Sequence, residues 1–184
     1  YNSDSNWDNG ALYIDNHLIR VTAVSSSDFV VKEGTITVAD NIFYGHDEAA
    51  FMVRDTIKTI SFPASLMHIG EYNFAALNNL TAINVVENNQ YYSSKEGVLF
   101  NKDGTTLIRY PGNKTVDDYI VPDRVTEIYS GAFYQTNIYD IVLPDGLTKI
   151  GDSAFAYCSS LTNVILPDSV RTIGPSAFIN CSEL

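Results

Sequence analysis

Cysteine is nearly absent from the 184-residue chain: Cys158 and Cys181 are the only two. Two thiols cannot supply the disulfide framework of a small secreted domain, and neither their spacing nor their neighbours suggest a zinc site. Positive charge is also scarce. Eleven Lys and Arg stand against twenty-two Asp and Glu, a formal net charge of −11, with no basic stripe to hold phosphates. Nucleic acid and anionic lipid are therefore not expected partners. Long apolar runs are missing too. None approaches the roughly 20 residues of a membrane-spanning helix, so direct membrane insertion is not expected. Catalytic motifs are equally thin: no glycine-rich phosphate loop, no nucleophile elbow, and three histidines (His17, His46, His68) in different stretches without H-x-x-x-H spacing. No catalytic residue, metal or cofactor is assigned.

What the chain does have is a repeat. PDGLTKIGDSAFAYCSSLTNVIL, from Pro144 to Leu166, recurs as PDSVRTIGPSAFINCSEL from Pro167 to Leu184. A shift of 23 residues carries Pro144 to Pro167, Ile150 to Ile173, Phe155 to Phe178, Cys158 to Cys181 and Leu161 to Leu184. Self-similarity at that period predicts a solenoid whose neighbouring coils bury a shared core. A β-sandwich is the competing architecture, but it has no need of a Phe in phase with Pro. The chain opens at Tyr1 without an initiator Met, as after removal of a signal peptide or in an excerpt, and a stop inside a unit favours the excerpt.

In order along the chain, residues 1–10 form a polar lead-in, with Asp4, Asn6 and Asp8 only faintly like a calcium loop. Residues 11–21, ALYIDNHLIRV, read as a β-hairpin, matched by GVLFNKDGTTLIRY over 97–110. Coils are expected over about 29–62, 63–86, 120–143, 144–166 and 167–184, the last truncated. The first coil carries an excess around HDEAAFMVRD, rich enough in helix formers for an outer helical turn. VENNQYYSSKEG reads as a polar link.

Within a coil, Leu161, Val164 and Leu166 point inward, Asn163 and Ile165 outward, and Pro167 ends the ladder. Gly70, Gly151 and Gly174 suit a backbone needing unusual torsion. Phe43, Phe74, Phe133, Phe155 and Phe178 should form one internal column. Cys158 and Cys181 share a slot with Leu77 and Thr136, so they read as core thiols, with a bridge between adjacent coils as the alternative. His68 should face outward between inward Leu66 and Ile69.

These units and the hairpin insert YSSKEGVLFNKDGTTLIRYPG resemble the BspA-type leucine-rich repeats of bacterial surface proteins. The resemblance covers nearly everything from about Ala11 onward. It implies a mostly β leucine-rich-repeat solenoid with short helical turns on its convex side and inserted β-hairpins, in a single stacked domain. It also implies an extracellular or cell-surface protein engaged in adhesion or protein binding, and no catalytic residue. Asp168-Ser169 stand where the general pattern has Asn or Cys, so an internal asparagine ladder is not assumed.

The candidate partner surface has two parts. One is a tyrosine group, Tyr91, Tyr92, Tyr129, Tyr134 and Tyr139; its competing reading is packing of the second hairpin against the next coil. The other comprises outward sheet residues Asn84, Asp140, Val142, Asn163 and Ile165. The expected function is a non-enzymatic module that binds a protein, such as a host or matrix protein. A structural spacer and a glycan-binding module using the tyrosines are the alternatives.

Overall fold

The computed structural model describes residues 6–43, 48–75, 77–114 and 118–184, with the backbone alone at 48–51. The chain is a solenoid built as two blocks of one design. The first contains β1 (Trp7–Asp8), β2 (Ala11–Ile14), β3 (His17–Val21), β4 (Asp28–Val30), β5 (Thr37–Val38), α1 (Glu48–Thr56), β6 (Thr59–Phe62), β7 (His68–Ile69) and β8 (Ala82–Val85). The second contains β9 (Tyr92–Lys95), β10 (Val98–Asn101), β11 (Thr106–Arg109), β12 (Asp118–Ile120), β13 (Glu127–Ile128), β14 (Asp140–Val142), β15 (Lys149–Ile150), β16 (Asn163–Val164) and β17 (Thr172–Ile173).

Each block opens with an antiparallel meander, β1–β2–β3 or β9–β10–β11, and the last strand of the meander starts a parallel ladder. The ladders are β3–β5–β7 and β11–β13–β15–β17, each coil adding one short strand. A second side of the coils carries β4–β6–β8 and β12–β14–β16. The two meanders match in detail, with a register shift at Leu12/Tyr13 in one and at Leu99/Phe100 in the other. Two expectations are corrected here. Trp7–Asp8 of the lead-in pair with Ala11 and Leu12, and Tyr92–Lys95 of the polar link pair with β10. Their main chains supply an outer edge for each meander, which a polarity count does not register. Asp4, the start of the faint calcium pattern, and His46 lie outside the described residues.

The third side is made of turns. Ala132, Tyr134 and Thr136 donate N–H to carbonyls three residues back, whereas Gly131, Phe133 and Gln135 donate to Asp152, Ala154 and Ala156 of the next coil. Alternate amides thus close the coil and join it to its successor. The residue two before the internal Phe is left-handed in every coil: Asn41, Tyr72, Gly131, Ser153 and Ser176 have φ of 52–64°. Gly70, Gly151 and Gly174 are not at those torsions, contrary to the sequence reading. A Cβ on Gly151 would lie 2.6 Å from Ser130 N, and one on Gly174 would lie 2.5 Å from Asp152 N. These glycines are required by the backbone of the preceding coil. The first coil of each block, with a meander behind it, has Ala39 or Tyr129 in that slot.

The core is divided in two. Phe133 and Phe155 stack at 4.8 Å and Phe155 and Phe178 at 5.1 Å, and Tyr110 extends the column at 5.2 Å from Phe133. Phe43 and Phe74 belong to the first block's core, where they meet Phe29 and Phe62 edge-on. The expected single five-ring column is therefore broken. The cause is the second meander, a partition buried on both faces: Val98 and Phe100 pack into one core and Leu99 into the other.

Candidate functional site

The side chains that face outward differ sharply between the two sheeted sides. On β11–β13–β15–β17 the outward row is Thr106, Glu127, Lys149 and Thr172, polar and internally paired. Lys149 Nζ lies 2.9 Å from Glu127, which raises the lysine's proton affinity. In the first block the corresponding row is His17, Thr37 and His68, with His17 Nδ1 2.7 Å from Thr37 Oγ1. His68 is exposed as expected, Leu66 is buried and Ile69 half-buried. The structure thus aligns two histidines that the sequence places far apart. One strand, β5, lies between them, so they stand two ~4.8 Å spacings apart, too far to share an ion.

The other side of the second block carries an apolar row. Ile120 pairs with Val142, and Ile165 continues the register next to Val142; they are 67%, 54% and 74% exposed. Their neighbours Tyr119, Ile141 and Val164 point into the core, so strand alternation forces these three into solvent. In the first block the same row reads Val30, Ser61 and Asn84. One flank of the apolar row is Asp118, Asp140 and Asn163, with Asp140 accepting from Thr162 Oγ1 at 2.9 Å. The opposite flank is Asp123, Asp145 and Asp168, each following the proline that ends its strand and each exposed. Among the described residues, no ion pair reaches any of these carboxylates.

Asp140, Asn163 and Ile165 thus share one sheet, whereas Asn84 lies on β8 in the other block. The tyrosines are distributed around the coil. Tyr91 is exposed at the start of the second meander. Tyr92 packs against the first core, and its hydroxyl accepts from Ile69 N at 3.2 Å. Tyr129 is exposed just beyond β13, and Tyr139 just before β14. Tyr134 lies on the turn side, edge-on to Tyr157 at 5.5 Å. Sequence reasoning named Asp140, Val142, Asn163 and Ile165 but not Ile120, Asp118 or the row Asp123, Asp145 and Asp168. The signal for Ile120 and for that row is a β-branched residue two before, and Asp one after, each of Pro122, Pro144 and Pro167.

A cleft of about 190 Å³ beside Asp8, Ser25, Ser26 and Asp28 is smaller than the ~300–1,000 Å³ typical of ligand pockets. Among the described residues, no three His, Cys, Asp or Glu gather as a metal site. Both cysteines are unbridged. Cys158 Sγ donates to Phe133 O at 2.9 Å and Cys181 Sγ to Phe155 O at 3.0 Å, a ladder of core thiols from coil to coil. Burial raises the pKa of both thiols, which keeps them protonated donors.

The family model for the BspA type leucine rich repeat region matches residues 23–120 and 110–184, in six copies. The chain belongs to the BspA-type leucine-rich repeat family. A leucine-rich repeat protein from Eubacterium ventriosum is similar in structure, with TM-score 0.75 and 30% identity over 85% of this chain and 40% of that one. The pneumococcal vaccine antigen PcpA gives TM-score 0.64 at 22% identity, covering 86% of this chain and 46% of PcpA. A leucine rich cell surface protein from Faecalibacterium prausnitzii gives 0.52 at 22%, covering 85% and 52%. The BspA-type array thus spans about half or less of each neighbour's length, and the latter two likenesses concern fold alone. No protein of curated function matches the sequence. With the family established, the two sheets and the turn side are the faces of a leucine-rich-repeat solenoid.

Proposed function

We propose that this chain is a non-catalytic recognition module of an extracellular or cell-surface protein, binding a protein ligand through the outward face of β12–β14–β16. The observation that carries the reading is the Ile120–Val142–Ile165 row, an exposed apolar strip, whereas the outward row of the opposite sheet is Thr106, Glu127, Lys149 and Thr172. Isolated exposed apolar residues are ordinary; three in register on adjacent strands are a patch. Family membership supports a repeat module that works by surface presentation.

The test is surface plasmon resonance of the immobilised chain against a panel of purified matrix and secreted proteins. Saturable binding that is lost on combining Ile120→Ser, Val142→Ser and Ile165→Ser, with unchanged melting, supports the reading. Binding that survives those changes but disappears with Tyr134→Ser and Tyr139→Ser moves recognition to the tyrosines, and a parallel glycan array identifies a sugar ligand. No binding across either panel leaves the array as a spacer.

A further inference from the structure

Resting on that reading, the geometry points to a particular kind of partner: we infer that the β12–β14–β16 face receives a cationic amphipathic α-helix lying across its strands. The apolar row runs perpendicular to the strands, so its rungs are separated by the inter-strand distance, ~4.8 Å, and three rungs span ~10 Å. A helix places residues i, i+3 or i+4, and i+7 on one stripe over ~10.5 Å, close to that period. An extended peptide laid the same way repeats its facing side chains every ~6.6 Å and falls out of step by the third rung.

Charge narrows the helix further. Asp118 and Asp140 lie on one flank of the apolar row, and Asp123, Asp145 and Asp168 on the other. Arg124 is adjacent to Asp123 in sequence, and the Arg171 guanidinium donates to the main-chain carbonyls of Asp168 and Val170. The two acidic rows are five residues apart, up to ~16 Å along an extended chain, so a helix ~10–12 Å across needs long Lys or Arg side chains on its shoulders to reach both while its apolar stripe covers Val142. An acidic or neutral helix would leave carboxylates beside a newly dehydrated strip. The first block lacks this arrangement, since Ser61 and Asn84 occupy its row and Ala64 follows Pro63.

The experiment is selection of a displayed library of random 18-residue peptides on the intact 184-residue chain, followed by titration of labelled winners. Enriched peptides are expected to carry apolar residues at helical spacing with Lys or Arg on both sides. A central proline should abolish their binding. Val142→Ser with Ile165→Ser, or Asp145→Asn with Asp168→Asn, should weaken binding about tenfold or more, and affinity should fall as salt rises. Enrichment of acidic or period-two sequences, tolerance of the proline, or no enrichment overturns the inference. If no helix is enriched while the apolar-row triple variant still abolishes binding to a panel protein, the helix inference fails alone; loss of both signals removes the protein-binding reading as well.

Discussion

Arg109 reaches backward to the carbonyl of Phe74, 3.3 Å from its Nη2, across the boundary between the two blocks. The same guanidinium donates forward to Gly131 O at 2.6 Å and Tyr134 O at 3.1 Å. It is 5% exposed, and its Nε has no partner. One side chain therefore joins the last coil of the first block to the first coil of the second, as the Cys158 and Cys181 thiols join later coils. Arg109→Met removes three charge-assisted hydrogen bonds and leaves Tyr134 O without a donor, while Phe74 O and Gly131 O keep Leu77 N and Tyr134 N; it should cost on the order of 1–3 kcal/mol, with Arg109→Lys falling between. Urea unfolding measures this; an unchanged midpoint for Arg109→Met would show that packing alone holds the boundary.

Alkaline pH should destabilise the fold through its buried tyrosines. Burial pushes Tyr110 up to about 12 and Tyr119 further, and raises Tyr13 and Tyr92. The folded state keeps protons that the unfolded chain gives up near pH ~10, so this stability is intact below pH ~10 and lost as pH climbs through the folded values. Arg109 acts in the opposite sense. Burial lowers it to about 10 from 12.5, so its penalty is present below pH 10 and relieved above it. Four tyrosines outweigh one arginine, so melting temperature should fall between pH 10 and 12, and Tyr110→Phe should make the fall shallower. A flat profile would contradict this.

Two neighbouring small residues should respond with opposite sign. Gly151→Ala drives a Cβ into the backbone of Ser130 and should destabilise by about 1–3 kcal/mol. Ser153→Gly relieves a left-handed residue with φ of 52° and should be neutral or stabilising by up to ~1 kcal/mol. Thermal melts of the two variants decide it; an unchanged melt for Gly151→Ala would show that the close backbone of Ser130 does not require glycine at 151.

The thiols should differ in rate and agree in redox behaviour. Cys158 is buried and Cys181 half-buried, so a thiol reagent should modify Cys181 first and Cys158 only on unfolding. Reductant should leave the melting temperature unchanged. A reductant-dependent shift would reveal a bridge.

The in-phase Pro, Phe and Cys spacing made the solenoid, both hairpins and the thiol slot legible, because each coil repeats one set of inward contacts. The meanders' outer strands were not legible: Trp7–Asp8 and Tyr92–Lys95 pair through main chain, leaving little trace in side-chain pattern. The Phe column failed where Arg109 and Tyr110 of the second meander come between coils; polar–apolar alternation could not show that β10 is buried on both faces. Asn89 tells the same story. It lies in the stretch read as a link, yet it is fully buried, donating to the carbonyls of Pro63 and Leu66 and accepting from Tyr91 N and Tyr92 N. Outward residues were easy to place on a strand and harder to assemble, since Ile120 becomes part of a row only when three strands are in register.

On the turn side of the second block, alternate amides are satisfied by the following coil in the same way at both steps, from Gly131, Phe133 and Gln135 and again from Ser153, Phe155 and Tyr157. Length is consequently an adjustable quantity: splicing in a whole unit between Leu166 and Pro167 would preserve every hydrogen-bonding rule of the array, whereas inserting half a unit would put glycines opposite side chains and phenylalanines opposite turns. Such a molecule can vary its reach, and the number of rungs it offers a ligand, without a new core having to be invented each time.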